Sequence, residues 1–293
     1  MNSENGSERL QQIIDESRNI VFFGGAGVST ESGIPDFRST DGLYRQTWTY
    51  PPETILSRSF FDAHPAEFYR FYRAKMIVPD AKPNAAHFKL AELEAAGKLG
   101  AVITQNIDGL HQAAGSKTVY ELHGSVLRNY CMKCGAFYPV RAILDAAPGA
   151  DIVRGDADLS PRANAAYGDA ELPRHTANAY GDDSLLNPPA GNRVNGDGIP
   201  RCTHCGGIIK PDVVLYEEGL DGGTVDAAVR AISCADTLII GGTSLVVYPA
   251  ASLIDYFHGR RLVLINKSAT AADGRADLCI TDRIGAVLDA VHV

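Results

Sequence analysis

The chain has 293 residues, 45% of them apolar and 21% charged, enough for a sizeable core and outside the low-hydropathy, high-charge balance of a disordered protein. A formal net charge of -8 argues against a nucleic-acid partner, because an acidic surface repels phosphate backbones, while it suits solubility and basic, lysine-bearing partners. Met1 to Arg9 is polar and no apolar run reaches the roughly 18 residues of a membrane span, so no membrane association and a cytoplasmic location are expected.

In chain order, Ile20 to Phe23 is a short run of β-forming apolar residues that breaks at once into Gly24, Gly25 and Gly27. That is the pattern of a buried parallel strand entering a tight turn, and a helix is predicted to follow. From about Leu43 to Pro83 the chain is aromatic-rich, with Phe60, Phe61, His64, Phe68, Phe71 and Tyr72 at helical spacing, which predicts helices outside the sheet in a smaller module. Helical periodicity returns over Ala85 to Ala96. Strand signatures recur at Gly100 to Thr104, Thr118 to Tyr120, Thr237 to Ile240 and Leu262 to Ile265. Such alternation predicts an α/β protein built on a parallel sheet. Pro148 to Pro200, rich in Gly, Pro, Asp, Asn and Ala, predicts a long irregular insertion.

Four segments carry chemistry. The glycine-rich turn from Gly24 to Gly33 lets backbone approach a pyrophosphate, or is simply a tight strand-turn-helix junction; it matches neither Gly-x-Gly-x-x-Gly nor a Gly-Lys-Ser/Thr loop. Its continuation, Ile34-Pro35-Asp36-Phe37-Arg38, offers a ring to cover a planar group and a guanidinium fork for phosphate. The strand ending at Thr104 runs into Gln105-Asn106-Ile107-Asp108, polar groups at a strand's carboxyl end that either recognise a carboxamide or ribose or cap a helix. His123, beside Gly124 at the end of another β-prone stretch, suits a proton acceptor, with His111 the competitor and a packing role the alternative for each.

Six cysteines include Cys131-x-x-Cys134 and Cys202-x-x-Cys205, each followed by glycine. Two such knuckles predict a four-thiolate zinc site with no position open to water, hence structural rather than catalytic, in preference to a redox pair or a ligand role for His204. Cys234 and Cys279 lie in apolar stretches and are expected to be buried.

Together these residues resemble the sirtuins, NAD-dependent protein deacylases. The motifs at 25–38, 104–111, 121–124, 210–216, 242–245 and 265–267, with the two cysteine pairs, occur in family order and cover nearly the whole chain. The resemblance implies a Rossmann-type NAD-binding domain made of 1–42, 84–125 and 208–293. It also implies a smaller helical and zinc-binding domain made of 43–83 and 126–207, which carries the insert at about 148–200, and a cleft for the acyl-lysine.

By the same resemblance Ala26, Thr30 and Arg38 contact the phosphates and nearby ribose, and Phe37 shields the reacting sugar. Gln105, Ile107 and Asp108 hold the nicotinamide ribose and carboxamide, Thr243, Ser244 and Asn266 line the adenosine, and Asp282 or Arg283 lies near the adenine. His123 is then the general base acting through the ribose hydroxyls, Asn106 positions water or ribose, and Val213, Val214 and Tyr216 pair with the substrate backbone. The implied products are nicotinamide, free lysine and O-acyl-ADP-ribose; a protein ADP-ribosyltransferase would share the first cleavage. Two departures stand out. Glu217-Glu218 replaces the family's frequent Gly-Glu, which would favour basic residues flanking the target lysine. Tyr69 and Tyr72 occupy the positions where members that prefer acidic acyl groups carry Tyr-x-x-Arg, with Arg70 and Arg73, one or two positions off, the alternative source of a cation, so acetyl is expected over succinyl.

Overall fold

Every residue of the first strand, β1 (Ile20–Gly24), is buried, as a strand must be when both faces of a parallel sheet are covered. The computed structural model describes residues 3–36, 48–147 and 196–293. Its strands are β1 (Ile20–Gly24), β2 (Leu99–Thr104), β3 (Val119–Glu121), β4 (Gly124–Cys131), β5 (Phe137–Pro139), β6 (Ile209–Val213), β7 (Thr237–Gly241), β8 (Arg261–Ile265) and β9 (Leu278–Ile280). The α-helices are α1 (Ser3–Glu16), α2 (Pro52–Ile55), α3 (Arg58–Ala63), α4 (Pro65–Lys75), α5 (Ala85–Ala95), α6 (Leu110–Ala113), α7 (Arg141–Leu144), α8 (Gly222–Cys234) and α9 (Ile284–Asp289). Among the described residues no helix is long and apolar enough to cross a membrane.

The described residues divide into two units. The larger takes those of Met1–Thr47, Asp80–Gly124 and Gly219–Val293. Its sheet runs β3-β2-β1-β7-β8-β9, with neighbours parallel throughout. Ile20 and Phe22 point into a core shared with Leu10 and Ile13 of α1, Leu90 of α5 and Leu288 of α9. Val21 and Phe23 point the other way, against Ala228 and Ile232 of α8 and Leu253. The order of strands reverses between β1 and β7, and in open α/β sheets that crevice, beyond the carboxyl ends of the strands, is where ligands bind.

The smaller unit takes the described residues of Trp48–Pro79 and Ser125–Glu218. It joins the three-stranded sheet β5-β4-β6 to an aromatic core in which Phe61, Phe68, Tyr69, Phe71 and Tyr72 are each 1% exposed or less.

Three expectations change. The glycine-rich turn leads not into a helix but into two 3-10 turns, Ala26–Val28 and Thr30–Ser32, the second ended by Gly33 in the left-handed region (φ 81°); glycine and serine here favour turns over helix propagation. Residues 208–218, grouped from sequence with the nucleotide-binding domain, fall in the smaller unit because β6 joins its sheet. Cys234 and Cys279 are exposed rather than buried. Cys234 ends α8, and Cys279 takes the outward position on edge strand β9. Of the expected insert, only 196–200 is described; 148–195, like Phe37 and Arg38, lies outside the described residues.

Candidate functional site

At the reversal point the turns after β1 and β7 touch backbone to backbone. The Gly27 N–H donates to the Gly242 carbonyl at 2.8 Å, and the Gly25 N–H to that of Gly241 at 3.3 Å. A Cβ on Gly27 would lie 2.7 Å from Gly242 Cα, and one on Gly242, itself at φ 61°, would strike the Val28 nitrogen. Gly27→Ala is therefore expected to destabilise the larger unit by about 1–3 kcal/mol; thermal denaturation checks it, and an unchanged Tm would refute the close approach.

Polar side chains converge on this interlock from three strands. The Gln105 amide donates to Thr243 Oγ1 at 3.2 Å, and Thr243 N–H donates to Asn266 Oδ1 at 2.9 Å. Asn266 Nδ2 is buried and makes no hydrogen bond among the described residues, so a donor is left there for a polar ligand. Thr30 Oγ1 donates to the Gly27 carbonyl at 3.0 Å, closing the turn that carries Ala26. Ser244 is exposed at the mouth of the β7 turn. Asp282, exposed just after β9, accepts the Arg283 N–H at 2.7 Å, and three residues on the Gly285 N–H donates to Glu31 of the glycine-rich turn at 2.7 Å.

Ser29, which the sequence reading did not single out, is the hub. It is 1% exposed, donates to Asp108 Oδ2 at 2.6 Å and accepts from Asn106 Nδ2 at 3.0 Å. The other Asp108 oxygen takes the Leu110 N–H at 2.9 Å, at the start of α6. Burial pushes the Asp108 carboxyl above its ordinary pKa, against the pull of the Ser29 and Leu110 bonds. Ile107 lies half-buried in the same turn. His111 is buried beside Phe22 and His87, and neither of its ring nitrogens makes a hydrogen bond among the described residues.

His123 Nδ1 sits 2.9 Å from the Gln105 carbonyl. A carbonyl only accepts, so this bond assigns the proton to Nδ1 and leaves Nε2 as the basic nitrogen. Burial lowers the imidazole pKa, opposed by the Gln105 bond. A neutral ring with an available lone pair is what a general base requires near pH 7.

In the smaller unit Cys131, Cys134, Cys202 and Cys205 gather with all four sulfurs within 4.8 Å of one another. Sγ–Sγ separations are 3.4 Å for Cys131–Cys205 and 3.6 Å for Cys134–Cys202. Sulfurs held tetrahedrally at about 2.3 Å from zinc stand about 3.8 Å apart, so the thiols fit that ion. Each knuckle is a hairpin turn: Gly135 N–H donates to the Cys131 carbonyl and Gly206 N–H to that of Cys202, both at 2.9 Å. A Cβ on Gly207 would lie 2.9 Å from Cys131 Sγ, so this side of the cluster admits only glycine. His204 is exposed and outside the group.

Val213, Val214 and Tyr216 continue from β6. Tyr216 is tied on one side, its N–H donating to the Leu56 carbonyl at 2.9 Å and its carbonyl accepting from Arg58 at 3.0 Å. Lys210 Nζ donates to the Val213 carbonyl at 3.0 Å. Both glutamates that follow make bonds within the smaller unit, Glu218 to cations and Glu217, which stays exposed, to a neutral serine. Glu217 accepts from Ser59 N–H and Oγ at 2.9 Å each, holding a left-handed backbone (φ 77°) where the family often has glycine. Glu218 binds Lys210 at 3.1 Å, Arg58 at 3.2 Å and the Leu215 N–H at 2.9 Å.

Tyr69 donates to the Ile209 carbonyl, and the Tyr72 hydroxyl is buried with no hydrogen bond among the described residues. Burial raises the pKa of both phenols. Arg70 is engaged by Glu67 and lies over Trp48, and Arg73 is bonded to the carbonyls of Ile143 and Gly198.

A model of the Sir2 family matches residues 25–249. A protein of Clostridium perfringens named NAD-dependent protein deacetylase is 53% identical over 97% of each chain, and one of the same name from Cutibacterium acnes is 47% identical over 97% of each. Among solved structures, a Sir2 complex with a p53 peptide and NAD+ has a TM-score of 0.71 at 34% identity, covering 96% of this chain and 95% of that one. Another Sir2, with a deacetylated p53 peptide and 3'-O-acetyl ADP ribose, has a TM-score of 0.74 at 33% identity, covering 97% and 96%.

Proposed function

The chain belongs to the Sir2 family, and from that premise we propose that it is an NAD-dependent protein-lysine deacetylase yielding nicotinamide, free lysine and O-acetyl-ADP-ribose. The observation that carries this reading is His123, neutral and oriented by the Gln105 carbonyl, in the same unit as the Ser29–Asp108–Asn106 cluster. NAD, when bound, supplies a ribosyl carbon whose nicotinamide leaves and the ADP-ribose that accepts the acetyl group. His123 Nε2 accepts a ribose hydroxyl proton, and Asn106, fixed by Ser29, orients water or ribose. Gln105, Ile107 and Asp108 hold the nicotinamide end. Ala26, Thr30 and Arg38 take the phosphates, Phe37 covers the sugar, and Thr243, Ser244 and Asn266 take the adenosine, with Asp282 toward the adenine. The orphaned Asn266 amide supports that last assignment.

The partner is an acetyl-lysine segment of another protein. Its backbone pairs along 213–216, with Val214 the contributing residue between the tied Val213 and Tyr216. A single structural zinc is held by the four cysteines, and thiols kept for metal suit the reducing cytoplasm. No nucleic acid or membrane enters the reaction.

Incubation with NAD and an acetyl-lysine peptide should release nicotinamide and O-acetyl-ADP-ribose, seen by mass spectrometry; peptide left acetylated, or carrying ADP-ribose, would overturn the proposal. With Arg70 and Arg73 engaged elsewhere and both tyrosines uncharged, a succinyl-lysine peptide is expected to show kcat/KM at least about tenfold below the acetyl peptide, the cost of one unpaired buried carboxylate. Equal values would show that a cation reaches the acyl group.

A further inference from the structure

The start of α5 does more than cap a helix. Asn84 Oδ1 accepts from the Ala86 N–H at 3.0 Å, the ordinary work of an N-cap residue. Capping needs only that oxygen. The amide nitrogen instead reaches more than fifty residues back along the chain, donating to the Val28 carbonyl at 2.8 Å and to Ser32 Oγ at 3.0 Å. Val28 and Ser32 are the last residues of the two 3-10 turns of the glycine-rich segment. One side chain therefore fixes both turns, on either side of Ser29, whose hydroxyl joins Asp108 and Asn106.

Asn84 is itself held. Its N–H donates to His87 Nδ1 at 3.2 Å, and the fully buried His87 ring packs 4.7 Å from that of His111, which follows the Gln105–Asp108 turn. Helix α5 thus ties two ligand-facing turns through a residue that makes no part of the family-like motifs.

We infer that Asn84 is a positioning residue for NAD, setting the glycine-rich turn through Val28 and Ser32; this rests on the reading of the larger unit as an NAD site. The test uses the zinc-loaded full chain and the variants Asn84→Ser, Asn84→Ala and Ser32→Ala. Serine keeps a neutral capping oxygen but is too short to carry the two donated bonds. Asn84→Ser is expected to raise the Kd for NAD, by calorimetric titration, and the KM for NAD about tenfold, with KM for the acetyl peptide changed less than about twofold. Asn84→Ala should show the same NAD loss with a lower Tm than Asn84→Ser. Ser32→Ala, which leaves the α5 cap untouched, should raise the NAD Kd about threefold. If Asn84→Ser and Ser32→Ala both bind NAD as the parent does, the inference falls and Asn84 is a cap only. If Asn84→Ser fails to fold, the Ser32→Ala titration decides by the same criterion. Failure of the parent chain to bind NAD would instead remove the reading on which the inference rests.

Discussion

His123→Ala is expected to lower kcat for deacetylation by about 10²- to 10⁴-fold while leaving NAD bound. A thousandfold loss corresponds to about 4 kcal/mol of transition-state stabilisation, far more than the one backbone bond the ring makes in the resting protein. Little stability should be lost, since His123 is only half-buried and its removal frees a single carbonyl, that of Gln105. The pH profile supplies an independent check. Burial places the folded-state pKa of His123 below the ordinary value of 6.5, so the ring is neutral and competent at pH 7. As pH falls through that lowered pKa the base becomes protonated, and kcat/KM should decline with a slope of one proton. Above it the profile should stay flat until other groups titrate. An acidic limb centred above pH 6.5, or one that persists unchanged in His123→Ala, would put the base elsewhere.

The parts of this arrangement that could be read before the fold was known are those whose physics is local. Ile20 to Phe23 read as a doubly covered strand because every residue in it is apolar, and its side chains do alternate between two cores. The cysteine pairs read as metal knuckles because two-residue spacing and the following glycines are nearest-neighbour constraints, satisfied by hairpin turns at 131–135 and 202–206. Residues defined by distant partners were hidden. Ser29 looks like a turn serine until β2 brings Asp108 to it from 79 positions away. Glu217 and Glu218 read as an acidic surface because nothing local announces that Ser59, Arg58 and Lys210 will claim them. The exposure of Cys279 follows from β9 being the edge of the sheet, a property of strand order. Likewise β6 resembles any short strand, and only its pairing decides which unit it joins.

Cys202→Ala is expected to cost the smaller unit its zinc and with it the packing of the β5-β4-β6 sheet. The four sulfurs join the turn after β4 to the hairpin before β6, so the ion closes a loop whose described ends are far apart in sequence. Structural zinc in small thiolate sites contributes about 10–16 kcal/mol of apparent binding free energy, more than the net stability of most domains. Loss of one ligand should therefore show as less than one zinc per chain, a large fall in Tm and loss of deacetylation. Cys234→Ser and Cys279→Ser are the controls: both thiols are exposed and outside the cluster, so metal content should stay at one. On the proposed reading the larger unit holds NAD through residues of its own, so NAD titration of the metal-free chain should retain measurable affinity while the peptide reaction is gone. Replacing zinc by cobalt separates support from chemistry. With four sulfurs filling the coordination sphere, the cobalt form should show the absorption of a tetrahedral thiolate site and turn over at close to the zinc rate. A kcat that followed the metal's identity in a fully folded chain would mean the ion reaches the reaction, which a closed four-thiolate site does not allow.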